Sequence, residues 1–169
     1  MDPILDKARV GQNSLEQLAN TIPGFKGYRE KELRRDADRL QREYLARHLE
    51  ESKKSLDGLA LTASRAGALD AINDIETARK RCDKVVARIR YADRGYAGFF
   101  ATIKVDEAAL DRVYRYDLSL LQGVDDARKA ASGAAAASDP AGSVRDMIAR
   151  LDVLDAALSE RETILRGIQ

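Results

Sequence analysis

The stretch Tyr28–Ser64, YREKELRRDADRLQREYLARHLEESKKSLDGLALTAS, reads as one long amphipathic helix. Leu33, Ala37, Leu40, Tyr44, Leu49, Leu56 and Leu59 recur at an approximate three-four spacing, which puts them on one face of a helix. Opposite charges fill the other faces, including Glu30 with Arg34 and Glu43 with Arg47 in the favourable i,i+4 order. A helix over 28–64 would be roughly 55 Å long at the usual rise per residue, longer than a compact globule of this size is wide. The spacing therefore predicts an elongated molecule.

Outward from this segment the same pattern repeats. Gly67 is the natural reversal, and Leu69, Ile72, Ile75, Ala78, Cys82, Val86 and Ile89 form the returning stripe, so that 28–93 reads as a long antiparallel hairpin. On the amino-terminal side, Asp2-Pro3 is a helix start. Ile4, Ala8, Leu15, Leu18 and Ile22 then share a face before Pro23-Gly24 ends a short helix over 1–22.

On the carboxyl-terminal side, YADRGYAGFFATIKVD breaks the periodicity at Gly95 and Gly98. ATIKVD within it is the one weak hint of a strand, and no sheet is expected. Asp106 is placed to cap the next helix, whose stripe of Leu110, Val113, Leu120, Leu121 and Val124 is interrupted by Asp117. GAAAASDPAGS then supplies a linker with a second Asp-Pro helix start, at Asp139-Pro140, and a last helix carries Met147, Leu151, Leu154, Leu158 and Leu165 on one face. Residues 106–168 thus read as a second hairpin. The expected architecture is all-α: a single domain over 1–169, an elongated antiparallel bundle of coiled-coil-like hairpins with about five helices.

Composition agrees. Charged residues make up 34% of the 169, Trp is absent and Pro occurs three times, as in helical bundles. Basic and acidic residues number 29 and 28, so total charge demands neither nucleic acid nor an anionic membrane. Nucleic acid is not expected as a partner. The lone Cys82 and an amino terminus without a secretory pattern lead us to expect a cytoplasmic location. The longest nearly apolar run, Gly95–Ile103, is about half of what a membrane-spanning helix needs.

Residue types that carry chemistry are sparse. His48, the only histidine, lacks the Glu-x-x-His pairing of a bundle two-metal site, and reads as a satisfied or solvent-facing side chain. Cys82 has basic neighbours at Arg79, Lys80, Arg81 and Lys84, but its stripe points it into the core. No phosphate-binding glycine motif is present. We therefore expect no cofactor, no metal and no catalytic residues.

Two local features rank partner hypotheses. Six of the nine aromatics, Tyr91, Tyr96, Phe99, Phe100, Tyr114 and Tyr116, lie between 91 and 116. They read first as a core plug where helices change direction. The functional alternative is a partner surface of Tyr91, Tyr96, Phe99, Phe100 and Tyr114. From Arg79 to Arg94 there are seven basic and two acidic residues, whereas 106–169 holds eight basic and twelve acidic ones. Internal pairing of the two regions is the simpler reading, and an anion-binding stripe of Lys80, Lys84 and Arg88 is the alternative.

In layout, a short amphipathic helix before a long charged hairpin resembles the phage-shock and ESCRT-III-like membrane-remodelling proteins, although this hairpin is shorter and the first helix is not basic. That resemblance implies a peripheral membrane-surface protein binding anionic lipid through its first helix and basic stripe. The residues themselves favour a non-enzymatic interaction or scaffold protein that binds another protein or its own copy. A small-ligand binder or enzyme with an unrecognised site is the third reading.

Overall fold

The computed structural model describes residues 13–92 and 97–168. Among these it contains six α-helices and no strand: α1 over residues 13–21, α2 Arg34–Arg65, α3 Leu69–Tyr91, α4 Ala97–Ala101, α5 Glu107–Gly133 and α6 Pro140–Arg166. The all-α bundle expected from periodicity is the fold found, with the short α4, in the stretch where the periodicity breaks, added to the five helices expected. At 32 residues α2 is about 48 Å long. The Asp2-Pro3 start, Ile4, Ala8, Gly95 and Tyr96 lie outside the described residues.

Four long helices form the bundle. α2 packs against α3 and α5, and α6 packs against α5 and α3, so α3 and α5 stand at opposite corners. Within each hairpin the helices are antiparallel, as Glu50–Arg90, Lys53–Asp83 and Asp57–Arg79 show for α2 and α3. Between hairpins they run parallel: Asp74–Arg145, Arg81–Asp152 and Lys84–Asp155 join α3 to α6 at one constant offset. The chain must therefore cross the base of the bundle diagonally to pass from α3 to α5, and the connection containing α4 makes that crossing.

Local chemistry sets the ends. Gly67, at φ +65°, closes α2: its N–H donates to Ser64 O and that of Ala68 to Ala63 O, the paired bonds of a Schellman turn. Asp139 caps α6 by accepting the Gly142 N–H at 2.8 Å, with Pro140 at the first helical position. Asp106 sits at the start of α5, but its side chain makes no capping bond.

α2 begins later than its sequence suggests. Tyr28 is not helical: its ring is fully buried, its N–H donates to Tyr114 Oη (2.8 Å) and its carbonyl accepts from Arg34 Nε (2.7 Å). Drawing this ring into the core diverts the backbone until a 3-10 turn at Lys31–Leu33 leads into α2. Gly27, at φ +87°, makes the approach feasible, since a Cβ there would lie 2.7 Å from Tyr114 Oη and 2.9 Å from Leu15 Cδ1. Gly27→Ala is expected to lower stability by about 1–3 kcal/mol through strain and contact together, readable as a lower denaturation midpoint. At Gly67, where a Cβ meets open space, alanine should be milder.

The early part of the α2 face is turned relative to the sequence stripe: Arg34, Asp38, Gln41 and Leu45 are buried beside Ala37, while Leu33, Leu40 and Tyr44 are only partly buried; farther along, Leu49, Leu56 and Leu59 are buried as the stripe predicts. α1 lies on its own bundle, with Leu18 and Ile22 essentially inaccessible.

Candidate functional site

The chemically dense region is at the base of the bundle, where α2, α5, α6 and the Tyr28 loop meet. Arg161, 2% exposed, reaches inward from α6. Its Nε donates to Asp117 Oδ1 at 2.5 Å, and its Nη2 lies 3.0 Å from both Asp38 Oδ1 and Gln41 Oε1 and 3.2 Å from Tyr28 Oη. The Tyr28 hydroxyl sits 2.5 Å from Asp117 Oδ2 and 3.0 Å from Gln41 Oε1, with one proton for the two acceptors. Arg42 closes the set from the edge, holding Asp38 Oδ2 at 2.7 Å. Two carboxylates thus face two guanidinium groups. Buried charges require this pairing, because an isolated one would carry a desolvation penalty of several kcal/mol.

A second buried guanidinium works differently. Arg34, 1% exposed, donates to the carbonyls of Tyr28, Phe99 and Thr102, and lies over the Phe99 ring at 5.5 Å from its centroid. It binds the Tyr28 loop to the crossing connection. Around it Tyr28 stacks on Tyr114 and meets Phe25 and Phe99 edge-on, each with ring centroids 5.5 Å apart. The arrangement ties together segments that are far apart in sequence.

Electrostatics follow from burial. Desolvation, reinforced by Asp117 and Asp38, pushes the Tyr28 phenol well above its ordinary value of 10.0. Although burial opposes its charge, Asp117, Tyr28 and Asp38 hold the Arg161 guanidinium protonated. Because the folded phenol binds its proton more tightly than the unfolded one, this stability is complete below pH about 10 and falls as pH rises beyond it. Tyr28→Phe should accordingly show a shallower loss of stability above pH 10 than the parent chain in denaturant titrations at a series of pH values.

The residues singled out in sequence fall into three groups. Phe99 and Phe100 on α4 and Tyr114 on α5 are buried at 0, 4 and 4% exposure, the placement of a core plug. Tyr91 is exposed, and Tyr96 lies outside the described residues. In the basic stripe, Lys84 pairs with Asp155 at 2.7 Å, and Arg88 with Asp155 at 2.6 Å and Glu162 at 3.4 Å, so α6 neutralises both; Lys80 is exposed.

His48 pairs with Glu51 at 3.0 Å and packs on the Tyr44 ring. Cys82 is fully buried with Sγ 3.3 Å from Leu49 O, and burial pushes its thiol up to about 12. Ellman's reagent should leave Cys82 untouched in the folded chain and react fully once denaturant unfolds it.

Among the described residues no group of three His, Cys, Asp or Glu is placed to hold a metal ion, and no helix is long and apolar enough to cross a membrane. The fold and this region define an all-α bundle clamped at one end by a buried polar network. No protein-family model, curated protein or solved structure matches the chain.

Proposed function

We propose that the protein is a non-enzymatic interaction module, a helical scaffold that presents its outer faces to another protein or to its own copy. One observation carries this reading: the buried charges Arg161, Asp117, Asp38 and Arg34 and the thiol of Cys82 are turned inward and engaged with each other or with backbone, while large apolar side chains stand outside. Leu61, Leu69, Ile103 and Val153 are 54, 72, 84 and 70% exposed. A cytoplasmic location accords with this reading and with the reduced, buried Cys82.

A photo-crosslinking residue placed singly at positions 69, 103 and 153, with exposed position 47 as a charged control, tests it. Discrete adducts at one or more of the apolar positions and none at 47 are expected, with light scattering distinguishing self-association from a different partner. Adducts equally diffuse or absent at all four positions would oppose it. The burial of Leu18 and Ile22 on their own bundle favours this reading over membrane-surface binding through the first helix, which would require α1 to detach. Vesicle pelleting with anionic lipid should therefore be weak.

A further inference from the structure

Beside α1, the groove between α2 and α5 opens into a cleft of about 480 Å³, within the usual range of about 300–1,000 Å³ for ligand sites. Its floor is apolar, formed by Leu118, Leu121 and Val124 of α5. One wall is the ring pair Tyr44–His48, with centroids 4.3 Å apart and planes inclined by 58°. The rim is amide: Gln17 and Asn20 from α1 and Gln122 from α5. Among the described residues these three carboxamides make no side-chain hydrogen bond, so each keeps donors and acceptors for a ligand. The two cations at the upper end share Asp125, Arg128 at 2.7 Å and Lys129 at 2.6 Å, and Glu51 beside Arg128 and Asp126 beside Lys129 supply the further negative charge that offsets them.

We propose that this cleft binds a neutral, flat heteroaromatic molecule of the nucleobase or nucleoside class. An apolar floor and aromatic wall favour a planar ring. Carboxamides match an edge that alternates donors and acceptors, as asparagine and glutamine match adenine. Compensated charge gives an anion no advantage. Because α1 supplies two of the three amides, binding also fastens α1 to the bundle.

The test is a titration of the full chain with adenosine, read by proton NMR. His48 is the only histidine, so its imidazole resonances report on this wall alone. Saturable shifts with adenosine, no response to ribose, and slowed amide exchange over residues 13–22 are expected. Tyr44→Ala should weaken binding about tenfold, the scale of one base–aromatic stack, with Tyr44→Phe restoring it. Gln122→Ala, at an exposed position, should weaken binding without changing the melting temperature. Absence of His48 shifts at millimolar adenosine would overturn the proposal. An equal response to cyclohexanol, or binding indifferent to both alanine variants, would reduce the cleft to a nonspecific apolar groove.

Discussion

Replacing Arg161 by alanine is expected to destabilise the chain by about 3–5 kcal/mol, because removing one partner strands buried carboxylates. Asp117 is 0% exposed and Asp38 1%, and Arg161 touches both; Arg42 remains to serve Asp38, but Asp117 loses its only described guanidinium partner. Arg161→Lys should recover little, since one ammonium cannot reproduce the forked contact with Asp117 and Asp38. Equilibrium denaturation monitored by circular dichroism checks both substitutions. A loss under about 1 kcal/mol for alanine would mean that water enters and solvates the carboxylates.

The second large effect is expected at Phe99. Truncating this inaccessible ring to alanine should cost about 3–5 kcal/mol, since it removes the edge contact with Tyr28, the packing on Phe100 and the surface beneath the Arg34 guanidinium. The damage should be graded along the chain. Amide exchange should rise first in the Tyr28 loop and residues 98–105, which Arg34 and Phe99 join, and last in the upper halves of α2 and α3, whose core of Leu56, Ile75 and Ala78 does not depend on this ring. Uniform acceleration everywhere would show that the base is not a separate cooperative unit.

Hairpin pairing, the Gly67 turn and the Asp139 cap were legible because each depends on local chemistry: periodicity, a left-handed glycine, an Asx side chain before proline. The parallel contacts between hairpins were not, because sequence stripes carry no information about which hairpin face meets which. The polar network left only traces. Asp117 interrupts the α5 stripe, and Arg161 occupies the α6 stripe between Leu158 and Leu165, the place where an apolar residue was due.

Asp38 and Gln41 were hidden more thoroughly. At the start of α2, Leu33, Leu40 and Tyr44 outline a plausible face that is only partly buried, since Tyr28 and Arg161 draw polar residues inward. The aromatic window was visible as a cluster, but the burial of Phe99 and Phe100 within it, with Tyr91 left exposed, depends on the path of α4, a tertiary fact. The amides of the α1 cleft belong to elements about a hundred residues apart, Gln17 and Gln122, and no linear pattern joins them.

The charged groups Arg161, Asp117 and Asp38 are buried against one another at the base, a pairing that serves the fold. A double-mutant cycle on Arg161 and Asp117 tests it most directly, with Arg161→Met, Asp117→Leu and the pair measured by denaturant unfolding. Each single variant should lose several kcal/mol, and the pair should recover most of that loss, because two apolar side chains of similar volume leave no stranded charge between them. Losses that simply add would show instead that the two residues contribute to folding independently of each other.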